Sequence, residues 1–381
     1  MKRVYLDHNA TTPLRPEVRE CLIEGLDRFG ANASSVHAGG RAARGALDSA
    51  RLQVAEALGV GEEHVIFTSG GTESDNLAIL GSVRPLGPKA GLVTSLAEHS
   101  AVIETARQLE REGHPVRWLP VDEQGCPRLD QLEDLQPAPA LVSLMAANNE
   151  VGSLTALDQA RSIIDGWREP CPLHTDAVQA LGRIPLDLSL VDLASFSAHK
   201  VGGPVGVGVL VRRGRAVIEP THRGGGQEHG FRPGTENVPA IIAGALAIDL
   251  AQRDMQQASR KWRELCAELW SGIEREIPGA RLLGPGIESP NRLPNTINVL
   301  LPDVDGRVLV TRLDLAGLET STGSACASGS LEASHVLRAM GLNEEQARAG
   351  VRLSLGRETS LEDIHIAVER LRITRGLRPN S

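Results

Sequence analysis

Apolar residues along the chain alternate between short continuous runs and helical spacing. Within residues 41–58, Leu47, Ala50, Val54 and Leu58 recur every three or four positions, and Gly59 follows them as a stop signal. This spacing predicts an amphipathic helix. The next segment, "HVIFTSGGTESDNLAILG", predicts a short buried strand, a glycine turn and another helix.

Similar units recur further along the chain, in "GLVTSLAEHSAVIETARQLEREG", "ALVSLMAANNEVGSL" and "LHTDAVQALGRIPLDL". Strands that alternate with helices indicate an α/β fold with a mainly parallel, wound sheet. The apolar run "VGVGVLVRR" predicts one more buried strand. In such sheets, ligands bind at the carboxyl ends of the strands.

The C-terminal third has a different pattern. A long, charge-rich helix is predicted over roughly residues 238–276, followed by strand-like "NTINVLL" and "RAGVRLSLG". Helices are also predicted near 303–317, 333–340 and 360–375. We therefore expect a smaller α+β domain after a boundary near 245–265.

Composition limits the classes of function. Aromatic residues are only 2% of the chain, so Ala, Val, Leu and Ile must form the core. The net charge of -8 argues against nucleic acid and anionic membranes as partners. No long apolar segment is present, and we expect a cytoplasmic protein. The five cysteines are scattered and form no C-x-x-C pair, which argues against a disulfide framework or a metal site.

Lysine is rare in this chain. Only 4 of its 40 basic residues are lysine, and Lys200 lies in "SFSAHKVGGPVGVG", between small hydroxyl residues and a glycine cluster. A surface cation can be either residue, but only an amine can lose its proton and form a C=N bond. Lys200 is therefore a candidate for covalent chemistry.

Polar residues follow several predicted strands. Gly71 and Thr72 lie at a strand-to-helix turn that can bind phosphate, although an ordinary glycine turn capped by Thr72 or Ser69 also fits. Asp176 can pair with a protonated heterocycle or cap a helix. His99 and the run Asn148–Glu150 follow two other strands, and each is a weak signal by itself.

Two further residues lie in the C-terminal third. Cys326 is surrounded by small residues in "GSACASGS", where a thiol would be exposed; it is either a reactive thiol or an incidental surface cysteine. Arg352 alternates with apolar residues in "VRLSLGR" and can bind a carboxylate or form a surface ion pair.

Together these residues match the requirements of pyridoxal phosphate (PLP). The cofactor needs a phosphate cradle, a carboxylate for its ring nitrogen, an imidazole and a lysine for the Schiff base. Ser197 and His199, just before Lys200, can donate to the phosphate.

The ordered motifs resemble those of the PLP-dependent cysteine desulfurases, in the class V branch of the fold type I aminotransferases. The resemblance extends almost from end to end, through "YLDHNATTPLRPEV", "FTSGGTESDNLAI", "EHSAV", "NNEVGSL", "HTDAVQALG", "SFSAHKVGGPVGVGVL", "RGGGQEHGFRPGTENV", "GSACASGS" and "VRLSLGR". It implies a large domain over 15–255 with a seven-stranded, mainly parallel sheet wrapped by helices. Residues 1–14 and 256–381 would form the small domain with the catalytic cysteine loop.

The resemblance also implies a role for each candidate. Lys200 would form the Schiff base and act as base, Cys326 would accept the sulfur, and His99 would stack on the ring and assist proton transfer. The remaining cofactor contacts would be Gly71, Thr72, Asn149, Asp176, Gln179, Ser197, His199 and, from the neighbouring subunit of a homodimer, Thr235. Asn149 and Arg352 would hold the substrate carboxylate.

The implied reaction removes sulfur from L-cysteine through a PLP aldimine, leaving L-alanine and a persulfide on Cys326. The sulfur would pass to an acceptor protein such as an iron–sulfur scaffold or a thiolation enzyme. A selenocysteine lyase, or another class V aminotransferase or lyase, is the alternative function. A non-catalytic sulfur carrier that keeps the fold is a further alternative.

Two positions depart from the family pattern. His8 replaces a common asparagine or tyrosine, with an expected place near the entrance, and His229 replaces a common arginine near the dimer-contributed loop.

Overall fold

The computed structural model describes residues 2–133, 135, 137–214, 216–302, 304–322 and 333–376. Within these ranges the strands are β1 (Val4–Tyr5), β2 (Val65–Thr68), β3 (Leu92–Ser95), β4 (Val116–Leu119), β5 (Leu141–Ser143), β6 (Leu173–Asp176), β7 (Leu193–Ser197), β8 (Gly208–Arg212), β9 (Arg281–Leu283), β10 (Thr296–Leu300), β11 (Leu318–Glu319) and β12 (Gly350–Ser354). The α-helices are α1 (Pro16–Arg28), α2 (Ala38–Leu58), α3 (Gly71–Val83), α4 (Ser100–Arg111), α5 (Leu157–Asp165), α6 (Val238–Glu276), α7 (Gly306–Leu315), α8 (His335–Ala339), α9 (Glu344–Ala349) and α10 (Leu361–Gly376).

A seven-stranded sheet forms the centre of the molecule, with strand order β2-β8-β7-β6-β5-β3-β4. Strands β4, β3, β5, β6 and β7 pair in parallel, whereas β8 is antiparallel to both β7 and β2. The predicted α/β class and the mainly parallel seven-stranded sheet are therefore confirmed. The parallel pairing brings the carboxyl ends of β3, β5, β6 and β7 to one edge.

Successive residues of each central strand enter different hydrophobic clusters. Val65 and Phe67 join the cluster that contains residues of α2, α5 and α6, and Ile66 joins the cluster with residues of α3 and α4. In β5, Val142 joins the first of these clusters and Leu141 joins the second. Side chains alternate across a strand, so helices cover both faces, and both faces are apolar.

The helix predicted over 41–58 is α2, which begins three residues earlier and ends at Gly59 in the left-handed conformation, with φ 66°. A residue with a Cβ is strained there, and this explains the stop. Helix α6 confirms the long helix predicted over 238–276 and spans about 58 Å at 1.5 Å per residue.

The C-terminal third has its own hydrophobic cluster, which includes Leu269, Ile297, Leu353 and Leu371. Strands β9, β10 and β12 form an antiparallel sheet beside it. Val4 and Leu6 join this cluster, because β1 pairs with β11. These contacts support our proposal that residues 1–14 and 256–381 form a unit separate from 15–255.

Across the described residues, no helix is both long enough and apolar enough to cross a bilayer.

Candidate active site

A cavity of about 310 Å³ lies at the carboxyl edge of the central sheet. Ten of the site residues predicted from the sequence line it: Gly71, Thr72, His99, Asn149, Asp176, Gln179, Ser197, His199, Lys200 and Arg352. They come from segments almost 300 positions apart, and the parallel pairing of β3, β5, β6 and β7 brings most of them together.

Lys200 lies just after β7, in a short 3-10 turn over Ala198–Val201. Its Nζ donates to the carbonyl oxygen of Asn9 at 2.8 Å and to that of Ala10 at 2.7 Å. Both acceptors belong to the N-terminal segment, which crosses the cavity. The amine is thus half-buried, and two backbone carbonyls fix its position.

Asp176 ends β6 and is 5% exposed. Its Oδ1 accepts the backbone N–H of Val178 at 2.9 Å. Burial raises the pKa of this carboxyl, whereas nearby His99, the Val178 N–H and Lys200 oppose that rise. A buried carboxylate in this position gains most from a cationic partner in the cavity.

The side chain of Gln179 has a buried hydrogen-bond acceptor that no described residue satisfies. Its Nε2 donates to the Asn9 carbonyl at 3.0 Å, while its buried Oε1 has no hydrogen-bond partner within the described ranges. A buried acceptor without a donor is costly. A hydroxyl group on a bound ligand would satisfy it.

The turn before α3 fits an anion. Helix α3 begins at Gly71 with Gly70 as its N-cap, and no side-chain cap bonds its first N–H groups among the residues described, so the alternative of a Thr72 or Ser69 cap is wrong. A Cβ on Gly71 would lie 2.7 Å from Cγ2 of Val178, so only glycine allows this close packing. Free N–H groups at the start of a 13-residue helix can hold a phosphate.

Two histidines have defined hydrogen bonds at the cavity. Nδ1 of His99 accepts the N–H of Ala101 at 3.1 Å, so His99 also caps α4. Nδ1 of His199 lies 3.0 Å from Oγ1 of Thr11. Burial, together with the charges of Lys200 and Arg183, lowers the pKa of His199 to about 4, so its ring is neutral at neutral pH.

Arg352 in β12 is 1% exposed. Its Nη2 lies 2.6 Å from Oδ1 of Asp7, and its Nη1 donates to the Asn149 carbonyl at 3.1 Å. The contact with Asp7 was not predicted from the sequence. A substrate carboxylate bound by Arg352 would share the guanidinium with Asp7.

The sequence analysis assigned no role to three buried groups: Asp75, which lines the cavity, and Glu98 and His174, which do not. Asp75 and Glu98 are 1% and 0% exposed. Among the described residues, neither Asp75 Oδ1 nor Glu98 Oε2 has a hydrogen-bond partner, although His174 Nε2 lies 3.6 Å from Asp75 Oδ1. Burial, and then the charge of Asp176, raises the pKa of Asp75 well above its usual range; burial does the same for Glu98. His174 is held between Ser143 and Ser195, and burial lowers its pKa to about 3.

These acids cannot all be ionised together. Donor atoms of Asp75, His99 and Asp176 lie within 4.8 Å of one another, and like charges at such distances disfavour double ionisation. We assign the neutral form to Asp75 and Glu98, which leaves Asp176 as the charged carboxylate. Asp75 lies in "FTSGGTESDNLAI" and Glu98 in "EHSAV", but nothing in either motif shows that these acids are buried, which only the tertiary structure reveals.

Other residues missed from the sequence are Asn9 and His335, which line the cavity. Nε2 of His335 lies 2.8 Å from the carbonyl oxygen of Glu98, next to His99. Asn9 lies in the motif "YLDHNATTPLRPEV". Nothing in that motif showed that the Asn9 carbonyl would accept a hydrogen bond from Lys200.

Thr235 and His229 lie away from the cavity. Thr235 is exposed, in a surface groove that also contains Thr72 and Glu73, and does not line the cavity of its own chain. Cys326 lies outside the described residues. His229 is exposed, with φ 57°.

His8 does not lie at an exposed entrance. It is 6% exposed, and its ring packs edge-on against Tyr5 at 4.8 Å between centroids. Burial, followed by the charge of Arg183, lowers its pKa to about 4.

The residues present fit PLP. The buried Asp176 carboxylate, the orphaned Gln179 Oε1, the uncapped start of α3 and the Lys200 amine match the ring nitrogen, hydroxyl, phosphate and aldehyde of that cofactor.

The wound sheet and its strand-end cavity define the class of the protein: an α/β protein of fold type I. The family model for aminotransferase class-V matches residues 4–366. The chain belongs to this family.

Individual relatives agree with this assignment. Cysteine desulfurase IscS of Dictyoglomus turgidum is 43% identical, over 99% of this chain and 96% of that relative. A solved NifS-like protein is 37% identical with a TM-score of 0.89, over 97% of this chain and 98% of the other. A NifS-like protein from Rickettsia africae is 31% identical with a TM-score of 0.87, over 98% of this chain and the whole of that one.

Proposed function

We propose that this protein is a PLP-dependent cysteine desulfurase, which converts L-cysteine to L-alanine and retains the sulfur as a persulfide. One observation supports this most strongly: Lys200 and the buried Asp176 line one cavity, in a chain 43% identical to a cysteine desulfurase. The same cavity contains Asn149 and Arg352, which can hold an amino-acid carboxylate.

Lys200 would hold the cofactor covalently, and the start of α3, with Thr72, Ser197 and His199, would hold its phosphate. Asp176 would pair with the ring nitrogen, Gln179 would meet the ring hydroxyl, and His99 would stack on the ring. Bound PLP supplies an electron sink for bond cleavage at the substrate carbon.

Side chains of the protein would then transfer the proton of the substrate carbon. Lys200 Nζ would be the base that takes the proton from the substrate carbon, and the carbonyls of Asn9 and Ala10 accept its hydrogen bonds and hold it in the cavity. The neutral forms of Asp75 and Glu98 leave the negative charge on Asp176.

Cys326 would be the sulfur acceptor. Its thiolate attacks the sulfur of the substrate; the carbon–sulfur bond breaks, an S–S bond forms, and the carbon fragment takes a proton and leaves as L-alanine. Burial raises the pKa of the four cysteines within the described ranges. The pKa rises to about 11 for Cys126 and to about 12 for Cys171 and Cys266. The pKa of Cys21 is also raised by burial. None of these four thiols is readily ionised at neutral pH, which supports the assignment to Cys326.

The enzyme would act as a homodimer, with Thr235 reaching the phosphate of the partner subunit. The exposure of Thr235, and its groove beside Thr72, support this arrangement. The persulfide sulfur would pass to an acceptor protein such as an iron–sulfur scaffold or a thiolation enzyme. The four cysteines of the described ranges are unpaired thiols, which suits a reducing cytoplasm.

The function is tested by incubating purified protein and PLP with L-cysteine and a thiol reductant, then measuring alanine and sulfide. Equal amounts of both support the proposal. Formation of a keto acid would indicate an aminotransferase, and turnover of selenocysteine but not cysteine a selenocysteine lyase. A protein that never gains visible absorbance with PLP would contradict all three.

A further inference from the structure

Arg183 is a buried cation that has no acidic partner in the part of the chain that the structure describes. It is 3% exposed, and no carboxylate among the described residues forms an ion pair with it. Burial, reinforced by the charge of Arg352, lowers its pKa to about 10, so the guanidinium still carries its charge at neutral pH. A buried charge is costly unless its hydrogen bonds are satisfied, so the bonds of Arg183 show what holds it there.

The guanidinium bridges two residues of the proposed cofactor site. Its Nη1 donates to the Gln179 carbonyl at 2.9 Å, and its Nη2 donates to the Lys200 carbonyl at 3.2 Å. The Arg183 carbonyl in turn accepts the hydroxyl of Ser259 in α6. One side chain thus ties the turn after β6 to the turn after β7.

Arg183 also faces a second cavity, of about 480 Å³, behind Lys200. This cavity shares Lys200 with the active site, and His8 lines it as well. The charge of Arg183 contributes to the lowered pKa values of His8 and His199. Arg183 is therefore a buried charge in the wall of this second cavity, and His8 in the same wall is neutral at neutral pH.

We propose that Arg183 is a positioning residue: it fixes the backbones of Gln179 and Lys200 and places a positive charge behind the lysine. The charge favours the unprotonated form of a nitrogen at Lys200. The inference rests on the proposed function, because its consequence is measured on cofactor bound to Lys200.

Other charged or titratable groups also surround Lys200. Those that line the active-site cavity are Asp75, His99, Glu150, Asp176, His199, His335 and Arg352. A change at Arg183 leaves all seven side chains in place. Removing its charge also relieves the lowered pKa of His199, so a shift specific to Arg183 variants reports this one charge, acting directly and through His199.

Two substitutions separate charge from hydrogen bonding. Arg183→Lys keeps the charge but has no planar fork to reach both carbonyls, whereas Arg183→Gln keeps a donor and removes the charge. The measurements are the pH midpoint of the visible absorbance of the PLP-loaded protein and the dissociation constant for PLP. Thermal unfolding of each apoprotein checks folding.

Arg292 provides a matched control. It is also 3% exposed, its pKa is also lowered by burial to about 10, and it donates to backbone carbonyls, but it lines neither cavity. Arg292→Lys and Arg292→Gln therefore repeat the same chemical change away from Lys200.

For Arg183→Gln we expect the midpoint to rise on the order of one pH unit, because a nearby positive charge is removed. Arg183→Lys should keep the wild-type midpoint. Both Arg183 variants should bind PLP about tenfold more weakly, because each loses a hydrogen bond. The Arg292 variants should match the wild type in midpoint and affinity. Wild-type midpoint and affinity in both Arg183 variants would overturn the inference. A wild-type protein that gains no visible absorbance would instead overturn the proposed function.

Discussion

The amine of Lys200 donates to the carbonyl oxygen of Asn9 at 2.8 Å, across 191 positions of sequence. Gln179 donates to the same carbonyl at 3.0 Å. The N-terminal segment therefore aligns two residues of the proposed cofactor site, and Asn9 Nδ2 continues the contact to Thr296 Oγ1 of β10 at 2.9 Å.

Replacing Lys200 tests whether this amine carries the chemistry. Lys200→Arg keeps a cation that can donate to Asn9 and Ala10, but a guanidinium cannot form the C=N bond. We expect loss of the visible absorbance of bound PLP and of alanine formation. Lys89→Arg, an exposed lysine, is the control and should match the wild type; residual visible absorbance in Lys200→Arg would point to a different lysine.

Substitution by asparagine should affect activity differently at the two buried aspartates, Asp75 and Asp176. Asp75→Asn mimics the neutral acid and should retain activity within about threefold, since a protonated carboxyl and an amide are similar in shape. Asp176→Asn removes the charge that faces the ring nitrogen and should lower kcat on the order of 10²-fold. Steady-state kinetics of both variants check this, and a comparable loss in Asp75→Asn would show that Asp75 is ionised.

Cys326→Ala should bind PLP normally, as judged by its visible absorbance, yet release no sulfide from cysteine. Mass spectrometry after incubation with cysteine should place one extra sulfur on the wild-type peptide that contains Cys326. Cys126→Ala removes a half-buried thiol whose pKa is raised to about 11, and should keep full activity. Undiminished sulfide release from Cys326→Ala would remove this residue from the mechanism.

Mixed dimers test whether Thr235 serves the partner subunit. In a dimer of one Lys200→Ala chain and one Thr235→Ala chain, the site with an intact lysine would receive an intact Thr235 from the other subunit. We expect about half of the wild-type activity, although each homodimer is impaired. If Thr235 acts in its own chain, both sites of the mixed dimer are defective, and the mixture shows no recovery.

His8 should make stability depend on acid pH. Its pKa is lowered from 6.5 to about 4 in the folded protein, so between these values the unfolded chain binds a proton that the folded chain does not. The free energy of unfolding is unaffected above pH 6.5 and falls as the pH drops toward 4, by up to about 3 kcal/mol from this group.

Urea unfolding at pH 5.0 and 7.5 measures the effect. His8→Asn should lose less stability than the wild type between these two pH values. His365→Asn, at a histidine side chain that is 61% exposed, should behave as the wild type does. Parallel behaviour of all three proteins would show that His8 is protonated in the folded state.

The sequence by itself determined much of the fold and most of the site. The alternation of apolar runs with helical spacing predicted the wound sheet, because a strand buried on both faces must be apolar throughout. The rarity of lysine singled out Lys200, and the strand-end positions of Gly71, His99 and Asp176 placed them at one edge, because parallel strands end together.

The tertiary structure alone decided how the site is charged. No motif assigned a role to Asp75, Glu98 or Arg183, and their importance comes from burial and from distances between segments far apart in sequence. Whether a carboxyl is ionised depends on the water and charges around it, and a linear pattern does not contain those distances. The same reason explains why His8, expected near an entrance, is instead buried behind Lys200.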